Sequence, residues 1–158
     1  VREGDEMWIR KIRKIDYAAV DRLLLQLHQV DVEGRPDLFA PADHYMAQEA
    51  FETLLENENV LAFLVQERLT VVGCCFVSLL ERCGEAPQKT AYIDLLVVDQ
   101  AHRRQGIGRM IFREVERQAR AQGAQKVELT AWSHNTAARC AYEAYGMQPQ
   151  RSIYEIRL

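Results

Sequence analysis

An apolar run, Ala91–Val98 (AYIDLLVV), passes through a polar turn into Arg103-Arg104-Gln105-Gly106-Ile107-Gly108, which opens an amphipathic segment reaching Gln122. This strand-turn-helix junction constrains the chain more than any other feature. The first amides of a helix lack intrahelical partners, and the macrodipole puts partial positive charge there. Gly106 and Gly108 let the backbone approach a phosphate with no Cβ in the way. Arg103, Arg104 and Arg109 add cationic side chains, so the junction reads as an anion cradle rather than a plain helix start. It fits neither common nucleotide motif. Ile111 stands where a Rossmann fingerprint needs its third glycine, and no Gly-Lys-Ser/Thr follows as in a P-loop.

The rest of the chain supplies a frame for that junction. Trp8–Ile12 alternates as a first strand. Ile15–Val30 places Val20, Leu23, Leu24 and Leu27 at helical spacing, with Asp16 as N-cap. Asp31–Asp43, with Gly34, Pro36 and Pro41, predicts a loop, and a second helix is expected from about Ala42 to Glu56. Val60–Gln66 and Thr70–Leu80 read as strands joined by Glu67-Arg68-Leu69, a hairpin without the favoured glycine. Arg82–Gln88 is a loop before the strand Ala91–Val98. Gly106–Gln122 is a helix stopped by Gly123. Lys126–Ala131 is a strand, Asn135–Tyr145 a short helix and Met147–Leu158 a final extended segment. The order β-α-α-β-β-β-α-β-α-β over 158 residues predicts one mixed α/β domain spanning 1–158. Met7 is a candidate start, which would make residues 1–6 an upstream extension.

Composition narrows the function classes. Lys and Arg total 20 against 23 Asp and Glu, a net charge of −3; a nucleic-acid partner calls for a basic excess and is not expected. The longest apolar run, Val71–Leu80, is far shorter than the ~20 residues of a membrane helix, so no membrane association is expected. The N-terminus lacks the apolar stretch of a signal peptide, which predicts a cytoplasmic protein. Cys74, Cys75, Cys83 and Cys140 form no CxxC pair and read as free thiols, without a metal site.

The stretch LLVVDQAHRRQGIG resembles the strand-turn-helix signature, R/Q-x-x-G-x-G/A, with which the GCN5-related N-acetyltransferases (GNAT) hold the pyrophosphate of acetyl-CoA. NTAARCAYEAYGM, from Asn135 to Met147, is similar to that family's N-x-x-A-x-x-x-Y-x-x-x-G-F segment, with Met147 in place of Phe. The resemblance implies a mixed central sheet flanked by helices and splayed between its fourth and fifth strands, with the pantetheine arm in the gap. It implies cofactor contacts from Arg103, Arg104, Gln105, Gly106, Ile107, Gly108 and Arg109, from the main chain of Leu96, Val97 and Val98, and from Asn135. A backbone N–H near Val97 or Val98 would polarise the acetyl carbonyl. Tyr142 matches the residue beside the thioester sulfur; a phenol with a pKa near 10 can protonate the departing thiolate.

The attacking amine must lose a proton. Tyr92 and Asp94, two apart on a strand, share a face and coincide with family positions that carry a basic side chain. The Glu common at the Tyr92 position is absent, which leaves Asp94 as candidate base. The acceptor side is implied to lie between Leu27 and Asn57, with His28, Asp31 and Phe39 as candidate substrate contacts. The expected reaction is direct acetyl transfer from acetyl-CoA to a primary amine in a ternary complex. A binding module that keeps the cofactor site and lacks turnover is the alternative, and a nucleotide-binding domain of another kind a third.

Other residues read as structural. His102 is expected on a surface turn, His134 in a cap or loop, Tyr145 in the core, and Trp132 in the core or the acceptor pocket. Cys140 has no base placed beside it. Arg113, Arg117 and Arg120 read as a solvated face with Glu116–Arg120 pairing. The alternating SIYEIRL permits strand pairing in a homodimer. Charge is also split: residues 102–120 hold six arginines against Glu114 and Glu116, while 31–58 hold eight acids against Arg35. That pattern suits a polyanionic cofactor at one end and a cationic amine at the other.

Overall fold

A computed structural model describes residues 7–82 and 88–158. The suggested extension 1–6, Cys83 and most of the loop expected at 82–88 lie outside the described residues. Five strands form one sheet: β1 (Met7–Lys11), β2 (Val60–Glu67), β3 (Thr70–Arg82), β4 (Gln88–Val98) and β5 (Lys126–Leu129), side by side in that order. The first four pair antiparallel and β5 pairs parallel with β4. The helices are α1 (Tyr17–Gly34), α2 (Gln48–Glu56), α3 (Ile107–Ala121) and α4 (Thr136–Tyr145). Among the described residues no helix is long and apolar enough to cross a membrane.

Alternation along the central strands fills both faces. Phe63, Cys75 and Val77 point to the side covered by α3 and α4, while Leu64, Cys74 and Phe76 point to the side covered by α1 and α2. On α3 the buried stripe is Ile107, Ile111, Phe112, Val115 and Ala119. Each large apolar side chain buried this way contributes roughly 1.5–3 kcal/mol, so α3 is held firmly by its inner face while its arginines stay in water. Burial pushes the Cys74 thiol up to about 12 and raises Cys75 well above the ordinary thiol range, which leaves both inert.

Helix ends follow local chemistry. Gly123, left-handed at φ 75°, closes α3: its N–H bonds to Arg120 O and the Ala124 N–H to Ala119 O. Gly146 closes α4 in the same way, through Glu143 O and Tyr142 O. The two-residue β2–β3 turn takes its left-handed residue from Arg68 (φ 54°).

Four expectations need correction. Asp16 does not cap α1 with its side chain; its carboxylate takes Arg10 in two bonds and the Arg13 N–H, capping a 3-10 turn at Lys14–Asp16 instead. α1 runs on to Gly34, where the Arg35 N–H still bonds Asp31 O. α2 begins at Gln48, because the buried Asp21 carboxylate receives the Tyr45 N–H (2.8 Å) and holds the preceding segment out of a helix. Residues 147–158 lie outside the sheet, with Glu155 and Arg157 paired to Arg35 and Asp37.

Candidate active site

β4 outruns its neighbour. Pairing with β5 ends at Ile93↔Leu129, while pairing with β3 continues to Val98↔Gly73. Asp94–Val98, including Leu96, Val97 and Val98, therefore has a strand on one side and a gap on the other. Asp94 is the extra residue where Phe76 pairs Leu95 and Val77 pairs Ile93, a bulge that re-aims its side chain. Its Oδ2 accepts from Ser78 Oγ at 2.6 Å. Ser78 is the register partner of Tyr92, so Tyr92 and Asp94 share a face, as the spacing predicts. Burial raises the Asp94 carboxyl above its ordinary range, more than the Ser78 hydrogen bond lowers it. Tyr92 is committed elsewhere: its hydroxyl meets Thr130 Oγ1 at 2.6 Å, across the last rung before the gap.

At the mouth of the gap the chain leaves β4 through Asp99, whose N–H bonds Val72 O. The Asp99 carboxylate is buried and accepts from Arg22 Nη1 (3.1 Å), Gln26 Nε2 (2.7 Å) and His102 Nδ1 (2.6 Å). Burial opposes its charge, but the bonds from Gln26, His102 and Arg22 outweigh that and hold its carboxyl below the usual range. His102 is thus not a free surface turn residue: Asp99 holds one ring nitrogen and Glu67 lies 3.5 Å from the other. Beyond it, Arg104 (φ 66°) and Gly106 (φ 83°) are both left-handed, a backbone alternation that turns successive N–H groups into one concavity. Ile107 is buried against the sheet and fixes the first turn of α3. A Cβ added at Gly106 or Gly108 would meet nothing within 4 Å, so the space above both is open. Arg103 reaches toward Val98 O at 3.5 Å, and Arg104, Gln105 and Arg109 flank the opening. Farther along α3, Arg117 and Arg120 pair with Glu114 and Glu116.

On the far bank of the gap, Asn135 caps α4 by accepting the Ala138 N–H through Oδ1. Tyr142 packs edge-on against Phe112. Burial, with Cys75 nearby, raises its phenol, so it stays protonated at neutral pH. Its hydroxyl makes no hydrogen bond among the described residues. Tyr145 is the opposite case, stacked on Phe112 at 4.5 Å with its hydroxyl donated to Glu116 (2.5 Å).

The three candidate acceptor contacts come together at the C-terminal end of α1. Phe39 meets both His28 and Trp132 edge-on, His28 Nε2 bonds Ala40 O at 2.8 Å, and Asp31 meets His134. Two more residues join them: Tyr45, which the sequence does not single out, and His134, which it places in a cap or loop. Tyr45 meets His28 edge-on, and burial, then the charges of Asp31 and Asp94, raise its phenol. His134 lies in the turn before α4, as expected, and there partners Asp31 of α1. Neither carries a local signal: Tyr45 is placed by Asp21, and His134 by contacts about a hundred residues away in the chain.

The model of the acetyltransferase (GNAT) family matches residues 24–147. Among solved structures, a mutant of the BH1408 protein from Bacillus halodurans is 28% identical, covering 96% of this chain and 99% of that one, with a TM-score of 0.92. The aminoglycoside N-acetyltransferase AAC(6')-Iy, in complex with a CoA–acetylneamine bisubstrate analogue, is 18% identical, covering 97% and 99% at a TM-score of 0.74. An aminoglycoside acetyltransferase from an uncultured soil metagenomic sample, in complex with trehalose, is 18% identical, covering 96% and 95% at a TM-score of 0.73. No curated protein matches.

Proposed function

The chain belongs to the GNAT acetyltransferase family, and from that premise we propose that it transfers the acetyl group of acetyl-CoA directly to a primary amine held beside it in a ternary complex. One observation carries the reading. Asp94–Val98 presents main chain without a β5 partner along a gap whose mouth is the left-handed cradle at 104–106. An extended arm can add there like a strand, while open space over Gly106 and Gly108 fits a pyrophosphate.

Acetyl-CoA supplies an acetyl group activated as a thioester. The chain does the rest. Arg103, Arg104, Arg109 and the first amides of α3 hold the phosphates, and the Asn135 amide holds the arm. A main-chain N–H of Val97 or Val98 polarises the acetyl carbonyl. Asp94, with its raised carboxyl, accepts a proton from the acceptor ammonium and frees the lone pair that attacks. Tyr142, protonated and without a hydrogen-bond partner among the described residues, donates to the sulfur as it leaves. The acceptor approaches past His28, Asp31, Phe39 and Tyr45. The surplus of acids from 31 to 58 favours a cationic amine, and the likeness to aminoglycoside acetyltransferases puts aminoglycosides in the first panel.

The test is thiol release from acetyl-CoA across polyamines, aminoglycosides and peptide N-termini, read beside thermal shifts with acetyl-CoA, CoA and ATP. Stabilisation by both CoA species but not ATP, with release for at least one amine, is expected. Stabilisation with silence across the panel would favour a cofactor-binding module, the reading that Tyr92 in the usual Glu position supports. No stabilisation by acetyl-CoA or CoA overturns both.

A further inference from the structure

Past Leu129 the far bank of the gap has lost its ladder to β4, so contacts other than main-chain pairing must set its distance from the near bank. The end of α1 supplies them. Gly34 and Arg35 grip the turn after β5 from two sides: the His134 ring lies directly on the Gly34 backbone, and the Arg35 guanidinium lies 5.4 Å from the Trp132 ring centroid. His134 and Trp132 stack on each other at 5.9 Å and 18°, so one chain of contacts links Gly34, His134, Trp132 and Arg35. Asp31 Oδ1 accepts from His134 Nε2 at 3.3 Å, and Asp37 and Glu155 fix Arg35 in turn. Close approach of backbone to ring is possible only because residue 34 is glycine. A Cβ there would fall well inside contact distance of Cδ2, Cγ and Nε2 of His134, and a ring held by Asp31 and Trp132 has little room to give.

The same helix grips the cradle from its other half. Arg22 and Gln26 bind the Asp99 carboxylate, and Gln26 Oε1 accepts the Gln100 N–H at 2.9 Å. From residue 22 to residue 34 a helix spans roughly 18 Å. We propose that α1 is a ruler for the cofactor site, in which the clasp of Gly34 on His134 fixes the far bank, and with it Asn135, at a set distance from the phosphate cradle. His134 and Gly34 are thus positioning residues that touch neither substrate. The inference rests on the acetyl-CoA reading above and adds what sets the width of its slot.

The test is a double-mutant cycle on the full chain, with acetyl-CoA affinity measured by calorimetry and kcat and KM measured for the best amine. Gly34→Ala is expected to weaken acetyl-CoA binding by roughly five- to fiftyfold, and Gly34→Ala with His134→Ala to recover much of that loss, because the ring that the Cβ displaces is gone. The loss is expected in KM for acetyl-CoA more than in kcat. Gly34→Ala that folds and binds acetyl-CoA as the parent does overturns the clasp, as does a double variant no better than Gly34→Ala alone. If Gly34→Ala does not fold, His134→Ala takes its place: it leaves a void rather than a clash, and unchanged acetyl-CoA affinity in it overturns the clasp equally. Failure of the acetyl-CoA reading shows in the parent chain, which would bind neither acetyl-CoA nor CoA, whereas failure of the clasp shows only in the variants.

Discussion

The cradle and the acceptor wall are built by opposite means. The cradle is local: twelve consecutive residues, 98–109, carry the end of a strand, two left-handed positions and a helix start. The acceptor wall is assembled from afar. Asp31 meets His134 across 103 positions and Arg35 meets Glu155 across 120. A site made of backbone shape is written in the few residues that permit the shape. A site made of side-chain neighbours is written only in the whole fold. Substitutions at the two ends should therefore fail differently: cradle changes through φ and the anion, wall changes through packing.

The sharpest way to break that contrast is Gly106→Ala. A left-handed alanine costs about 1–2 kcal/mol, and its Cβ enters the open space above Gly106. Losing one or two charge-assisted bonds to a phosphate adds about 1.5–3 kcal/mol each. Acetyl-CoA affinity is expected to fall by roughly a hundredfold or more by calorimetry, while the melting temperature of the ligand-free chain falls by only a few degrees. Equal affinity would mean that the cradle is not where the phosphates sit.

Next come the two tyrosines of α4, three residues apart and differently employed. Tyr142→Phe removes a hydroxyl that has no hydrogen-bond partner among the described residues and should lower kcat by roughly 10²-fold with little change in stability. Tyr145→Phe removes a hydroxyl donated to Glu116 and should cost about 1 kcal/mol of stability with kcat nearly intact. Urea melts and single-turnover rates on the pair separate the roles, and an exchange of the two phenotypes would reverse the assignment.

The same divide explains what can be read from the sequence. The strand-turn-helix junction, the glycine stops at 123 and 146 and the β2–β3 hairpin are local and legible. The limits of the loop after α1 are not, because Asp21, buried beneath it, decides where Tyr45 lies. Pro36 and Gly34 suggest an early break, yet Gly34 serves a close approach to His134 and the helix runs as far as it. His102, polar and next to arginines, reads as surface; Asp99, three residues back, holds one ring nitrogen, and only Glu67, arriving from β2, completes the pin. The two α4 tyrosines look alike in sequence; Glu116 tells them apart.

Asp94 tests the border between the regions, since it lies on the cofactor strand but faces the acceptor wall. As base it must be ionised, so kcat/KM for the amine should rise with pH through its folded value, which lies above the ordinary carboxylate range. Asp94→Asn should remove that limb and lower neutral-pH turnover by roughly tenfold, the remainder being carried by water. Stability moves the other way. A folded value above the unfolded one means that stability falls as pH rises between the two. Asn abolishes that loss, so the variant should melt slightly higher than the parent at neutral pH and together with it in acid, where the parent's carboxyl is protonated both folded and unfolded. A pH–rate profile unmoved by the change would remove Asp94 from the chemistry.

The smallest effect is the most direct test of whether the cradle is written locally. Arg104 holds φ 66° without being glycine, a conformation that disfavours an L side chain by about 1–2 kcal/mol. Glycine removes that strain but loses about 0.4–1 kcal/mol to the greater freedom of the unfolded chain. Arg104→Gly should therefore leave a net gain of roughly 0.5–1 kcal/mol, a rise of two or three degrees in melting temperature without ligand. The lost cation should weaken acetyl-CoA binding only severalfold at low salt, and less as salt rises, because Arg103, Arg109 and the α3 amides stay in place. Higher stability with weaker binding is the signature of a strained residue retained for its charge. If melting falls instead, Arg104 is held by packing from the rest of the fold, and the cradle is less local than its sequence suggests.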